Sequence, residues 1–199
     1  MTITFDEAEH RYWLDNAEVP SVTQVIRFLS ADQAIGADTA MRNASAERGT
    51  RIHSACCDYD YDHDCEVDGD ITGWVEGYAK FCRDYQMDDW IATEKIVCGE
   101  IAGLKMAGTI DRVGVVDGDL MVIDIKTGSK IHTAPVSAQT VAYAHLYTQM
   151  TGQNIVKTAV LHLKRNGSYT FKILPWMYGE RALRASIQMH RLLEEKDYE

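Results

Sequence analysis

Two acids and a lysine interrupt an apolar, Val- and Ile-rich stretch, and their spacing limits what this chain can fold into. Residues 107–116 and 119–126, rich in Val and Ile, read as strands, and Asp117-Gly118 between them is a tight-hairpin signal. Asp111 falls inside the first strand. Asp124 and Lys126 lie two apart in the second, so both project from one sheet face. Folding the hairpin at Asp117-Gly118 brings Asp111 beside Asp124. As core residues they make little sense, because unpaired buried charges are costly and two adjacent acids repel. A hard divalent cation resolves the conflict: oxygen-rich sites suit Mg²⁺, which also bridges to a substrate phosphate. Lys126 would then hold or help deprotonate an attacking water, or stabilise charge on the phosphate. The competing reading is an exposed, salt-bridged hairpin. An Asp-x-Lys triplet alone is common, and Asp111 in an apolar strand is what favours a site.

The flanking sequence predicts an α/β (α+β) chain with a central mixed sheet of about five strands flanked by helices. Residues 2–19 alternate weakly and break at Asp15-Asn16, a hairpin pattern, and Pro20-Ser21 opens a short helix capped by Ser21 or Thr23. Residues 38–57 are Ala-rich and helical in pattern despite Gly49, 58–70 form an acidic loop, and 71–86 carry Trp74, Tyr78 and Phe81 on one helical face. A strand over 93–101 precedes the hairpin pair. A helix over 135–151 ends near Gly152, a strand pair over 155–164 and 168–174 turns at Asn166-Gly167, and an amphipathic helix over 178–196 closes the chain. With no repeat and no Gly/Ser linker, one domain is expected over 1–199, residues 1–37 being an N-terminal hairpin and helix appendage to a core over 38–199.

Charge narrows the partners. The chain has 30 acidic and 20 basic residues, a net charge of −10, whereas phosphate binding usually shows as a basic excess. The imbalance is local. Residues 1–100 hold 8 basic and 21 acidic side chains, and residues 101–199 hold 12 basic and 9 acidic. Asp58, Asp60, Asp62, Asp64, Glu66, Asp68 and Asp70 crowd one segment, while Lys157, Lys164, Arg165, Lys172, Arg181, Arg184 and Arg191 are free to meet phosphates. Asp64-x-Glu66-x-Asp68-Gly69 imitates the start of a calcium loop, but Val75 stands where the bidentate Glu belongs, so a solvated loop is expected. The cysteines Cys56, Cys57, Cys65, Cys82 and Cys98 contain no CxxC pair, which argues against a disulfide framework or a four-cysteine zinc site. A reducing, cytoplasmic setting fits. The acidic N-terminus lacks the start of a secretory signal, and no run approaches the ~18 apolar residues of a membrane helix, so no membrane partner is expected. Trp13, Trp74, Trp90 and Trp176 read as packing residues rather than base-stacking platforms.

Four motifs in order carry a resemblance. Arg48-Gly49-Thr50-Arg51-Ile52-His53, Gly108-Thr109-Ile110-Asp111-Arg112, Ile123-Asp124-Ile125-Lys126-Thr127-Gly128 and Gln139-x-x-x-Tyr143 together resemble the PD-(D/E)XK nuclease superfamily, with its RecB-like, phage-type exonuclease branch the best match. Val19-Pro20-Ser21-Val22-Thr23 also resembles phage members. The nominal proline is missing, since Ile110 precedes Asp111. The resemblance implies a restriction-endonuclease-like core and a DNA nuclease dependent on Mg²⁺ or Mn²⁺. An exonuclease is the first expectation, phage-encoded and used in DNA recombination, repair or replication. DNA is the implied substrate, and a single-strand-annealing or other recombination protein the implied partner. An endonuclease with the same site, or a non-catalytic module derived from a nuclease, are the alternatives.

The resemblance also implies roles. Asp111 and Asp124 match the metal-binding acids, Lys126 the catalytic lysine, and Ile125 a main-chain carbonyl ligand. Glu94 matches the upstream acid, ahead of Glu100, which sits just before the turn at Gly103. His53 matches the histidine that ligates or borders a metal. Gln139 and Tyr143, on one helix face, would orient the lysine and contact substrate. Arg112 faces away and reads as structural, and Thr127 and Gly128 shape the strand exit. Some members hold an iron–sulfur cluster through one upstream and three C-terminal cysteines. No cysteine follows Cys98, so no cluster is expected.

Overall fold

The N-terminal segment turns at Asp15-Asn16 as its alternation predicts, but it builds three strands instead of a two-stranded hairpin. In the computed structural model, which describes residues 2–6, 9–30, 39–87 and 89–194 (39–42 by backbone alone), β1 (Ile3–Asp6), β2 (Arg11–Leu14) and β3 (Ala17–Val19) form an antiparallel sheet. Asp15 and Asn16 take left-handed φ values of 50° and 67°, as a two-residue turn between twisted strands requires. The short helix α1 (Val22–Val25) starts at Ser21, whose hydroxyl accepts the Gln24 N–H while Gln24 Oε1 accepts the Ser21 N–H, a capping box. A 3₁₀ turn over Arg27–Ser30 follows. The expected boundary at 37/38 lies outside the described residues.

The rest of the chain follows the predicted order. Helices α2 (Thr39–Tyr61) and α3 (Thr72–Tyr85) precede β4 (Ala92–Ile101), β5 (Leu104–Val116) and β6 (Asp119–Lys126); α4 (Thr133–Thr151), β7 (Lys157–Leu163), β8 (Tyr169–Ile173) and α5 (Trp176–Glu194) complete it. The last two residues of the expected closing helix, 195 and 196, lie outside the described residues. The strands form a mixed sheet in the order β4-β5-β6-β7-β8, antiparallel except where β6 runs parallel to β7. That parallel step needs a crossover, which α4 supplies.

Helices cover both faces. Val97, Met106, Ile110 and Val122 pack with Val141, Leu146, Leu183 and Ile187 of α4 and α5. Ile123, Ile125 and Leu161 pack on the other face with Ile52, Tyr78 and Phe81 of α2 and α3. β6 therefore turns Val122, Asp124 and Lys126 toward α4. Tyr12, Leu14 and Val19 of the small sheet pack on Cys98 and Ala107. No helix among the described residues is long and apolar enough to cross a membrane.

Two further features depart from the sequence reading. Helix α2 runs four residues past the predicted end at 57, so Asp58 and Asp60 are helical rather than part of a loop. The second concerns β5, whose alternation slips. Met106 and Ile110 face α4, and a Cβ on Gly108 would lie 2.7 Å from Tyr143 Cε1. Further on, the same parity points the other way: Val116 joins the opposite core, and a Cβ on Gly114 would meet Trp90 and Met87. The slip falls at Asp111-Arg112, next to the proposed chemistry.

Candidate active site

The slip in β5 has a partner in β4. Ladder pairs Thr93↔Arg112 and Lys95↔Ile110 flank a break at Glu94 and Asp111. Glu94 there holds φ at 44°, in the left-handed region that a non-glycine residue adopts under constraint. On the other side, the pair Arg112↔Ile123 ends the β5–β6 ladder, and Asp111 Oδ2 accepts the Ile125 N–H at 2.6 Å instead. Glu94, Asp111 and Asp124 consequently form one row across three neighbouring strands.

The predicted site residues converge on this row. His53 of α2 places Nδ1 3.8 Å from Glu94 Oε1 and 3.6 Å from Asp111 Oδ1, and ligand atoms of all three lie within 4.8 Å of one another. Asp124 is 2% exposed and pairs with Lys126, whose Nζ is 2.8 Å from Oδ2 and 2.9 Å from Oδ1. Gln139 Oε1 lies 3.4 Å from Lys126 Nζ, and its amide nitrogen donates to Tyr143 OH at 3.2 Å. Tyr143 lies on the sheet because Gly108 has no side chain to push it away. Ile125 is tied to the site through its N–H, whereas the expectation concerned its carbonyl. Glu100 is exposed at the far end of β4, where Gln149 brackets its backbone N–H and carbonyl. It sits six residues from Glu94, about 20 Å along a strand, and takes no part.

These carboxylates set the protonation of their neighbours. Burial disfavours charge on the His53 ring, but Asp111 and Glu94 outweigh it and raise its pKa above the usual value. Burial likewise opposes the Lys126 cation, yet Asp124 and Asp111 carry its pKa above the ordinary lysine value. Burial pushes Asp124 up, against the pull of Lys126. The carboxylates thus favour the charged forms of both His53 and Lys126.

A divalent ion fits these residues. His53, Glu94 and Asp111 bring one imidazole nitrogen and two carboxylates together, and beside them Asp124 Oδ2 is buried without an aligned hydrogen bond, although Lys126 Nζ lies close to it. The site opens into a cleft of about 340 Å³, walled by Tyr12, Ser21 and Thr23 on one side and Gly49, Thr50 and His53 on the other.

Several residues behave otherwise than the sequence suggests. Asp60, expected in a solvated loop, is only 13% exposed, accepts from Tyr78 OH and the Trp90 indole, and forms an ion pair with Arg112. Its partner Arg112 is 52 positions away, so no local pattern shows the pair. Asp68 and Asp70 are clamped to Arg51. Three of the cations reserved for phosphate have internal partners: Lys157 with Asp119, Arg184 with Glu180, and Arg191 with the Ala102 carbonyl.

Comparison with known proteins adds a family and a fold. A family model for the PD-(D/E)XK nuclease superfamily matches residues 42–173. The crystal structure of a candidate exonuclease from Eubacterium rectale aligns with a TM-score of 0.52 at 15% identity, over 77% of this chain and 67% of that one, a likeness of fold. A second solved structure, that of SSO0001, aligns over 83% of this chain and 84% of its own at 11% identity and a TM-score of 0.36. No curated protein matches.

Proposed function

The chain belongs to the PD-(D/E)XK nuclease superfamily, and from that membership we propose that it is a Mg²⁺- or Mn²⁺-dependent deoxyribonuclease acting as an exonuclease. The observation that carries the reading is the row Glu94, Asp111 and Asp124, with His53 above it and Lys126 beside it. His53, Glu94, Asp111 and Asp124 would hold the ion, with the Ile125 carbonyl as a further ligand. A bound divalent ion supplies Lewis-acid polarisation of the scissile phosphate and lowers the pKa of water.

The chain's own groups do the rest. The Lys126 ammonium stands at the head of the acid row, where it can donate to a phosphate oxygen or hold water in line with the phosphorus. Gln139 restricts where that ammonium can swing, and Tyr143 fixes Gln139 in turn. The cleft leads the strand to the row between α2 and the small N-terminal sheet. The exonuclease assignment rests on the branch's motifs, as do the cytoplasmic setting and a recombination partner such as a single-strand-annealing protein.

Two measurements check this reading. Incubated with Mg²⁺, the protein should shorten linear DNA from its ends and leave covalently closed circles intact; nicking or linearisation of circles would instead show an endonuclease. The second concerns pH. His53 binds a metal only as neutral imidazole, and its pKa is raised, so protons compete with the ion at low pH. Mn²⁺ affinity should therefore increase from about pH 6 to about pH 8, with proton release seen by calorimetry in buffers of different ionisation enthalpy. A flat profile would remove His53 from the ligand set.

A further inference from the structure

Arg112 is fully buried, and a charge there needs compensation. Asp60 supplies it: Nη2 lies 3.0 Å from Asp60 Oδ2, while Nε donates to Tyr78 OH at 3.0 Å. Asp60 is itself fixed by the Tyr78 hydroxyl at 2.7 Å and the Trp90 indole N–H at 3.1 Å. Those contacts would satisfy a structural arginine. The remaining nitrogen does something else. Nη1 donates to the Asp111 carbonyl at 2.7 Å and reaches Glu94 Oε1 at 3.3 Å, the same oxygen that faces His53. The guanidinium thus holds both residues at which the β4–β5 ladder breaks, including the one with the left-handed backbone.

We propose that Arg112 is a positioning residue: clamped beneath the sheet by Asp60, it holds the Glu94 carboxylate and the Asp111 backbone where they can share a divalent ion with His53. This rests on the metal-dependent reading above. The planar fork of arginine is what allows one side chain to serve Asp60, Tyr78, Asp111 and Glu94 together, and lysine in its place would keep the charge but lose the span. Residues behind metal ligands commonly set metal affinity through orientation.

The test is Mn²⁺ titration calorimetry on the metal-free protein, with a thermal melt of each variant. R112K should remain folded beside Asp60 and bind Mn²⁺ about 10-fold more weakly. E94Q should also weaken binding, and R112K/E94Q should lose less than the product of the two single losses, because part of the effect of Arg112 runs through Glu94. Asp60 holds the guanidinium through Nη2 while Nη1 meets Glu94, so D60N should weaken Mn²⁺ binding as well, and it carries the test if R112K does not fold. Wild-type affinity in folded R112K or D60N, or losses that multiply in the double variant, would overturn the proposal. If the wild-type protein itself binds no Mn²⁺, the metal-dependent reading fails first and this proposal with it.

Discussion

Lys126→Ala should lower DNA cleavage about 10³-fold, ~4 kcal/mol of transition-state stabilisation, while the protein stays folded. The side chain is 33% exposed and sits at the end of β6, so its loss opens no core cavity. What it leaves is Asp124, 2% exposed and without its cation. Breaking a buried ion pair normally costs ~3–5 kcal/mol, but a carboxyl whose pKa burial has already raised can take up a proton or pair with a divalent ion. The melting temperature should therefore change little, and less with Mg²⁺ present than without. Asp124→Asn should match Lys126→Ala in activity and also weaken metal binding, whereas Lys126→Ala should not. Single-turnover rates and Mn²⁺ calorimetry on the two variants separate these roles. Cleavage at the wild-type rate in folded Lys126→Ala would remove the lysine from the mechanism.

Gly179→Ala should strongly destabilise the protein. Gly179 lies in the first turn of α5, and a Cβ there would stand 2.4 Å from the Ser137 backbone oxygen, 2.8 Å from its carbonyl carbon and 2.9 Å from Val141 Cγ2. The clash is with helix backbone, which cannot swing aside like the end of a long side chain. Relief requires α5 to move away from α4, across the apolar contact of Val141, Leu183 and Ile187. Overpacking of this kind costs about 3 kcal/mol, a large part of a typical folding free energy of ~5–15 kcal/mol. For a chain of this size the melting temperature should fall by roughly 6–12 °C, read by calorimetry or circular dichroism. Because α4 also carries Gln139 and Tyr143, cleavage should weaken as the helix shifts. An unchanged melting temperature would mean that the two helices do not cross this closely.

The sequence made the order of elements and the site's members legible, because both depend on local signals. Enrichment in Val and Ile marked β4 to β6. Pro20-Ser21, with Ser21 or Thr23 as the cap, marked the start of α1, and Asp117-Gly118 fixed the register that sets Asp111 beside Asp124. Spacing alone placed Asp124 and Lys126 on one face. What stayed hidden depends on long-range contact. The local pattern gave no sign of the break at Glu94 and Asp111, because the register is the same on both sides of it. Asp60 looked like one of a run of solvated acids, because its buried partner Arg112 comes from a distant strand. Arg112 in turn looked purely structural, and only its third nitrogen, turned toward Glu94, ties it to the site.

The central claim is that Glu94, Asp111, Asp124 and Lys126 form a metal-dependent nuclease site. It is tested most directly by digestion of end-labelled single- and double-stranded DNA, linear and circular, by the wild-type protein and Lys126→Ala. Each is assayed with Mg²⁺, with Mn²⁺ or with chelator. The expected result is release of labelled nucleotides from linear DNA by the wild-type protein with either ion, none with chelator, and almost none from Lys126→Ala. Absence of cleavage under every condition, or equal cleavage with chelator or by Lys126→Ala, would contradict it.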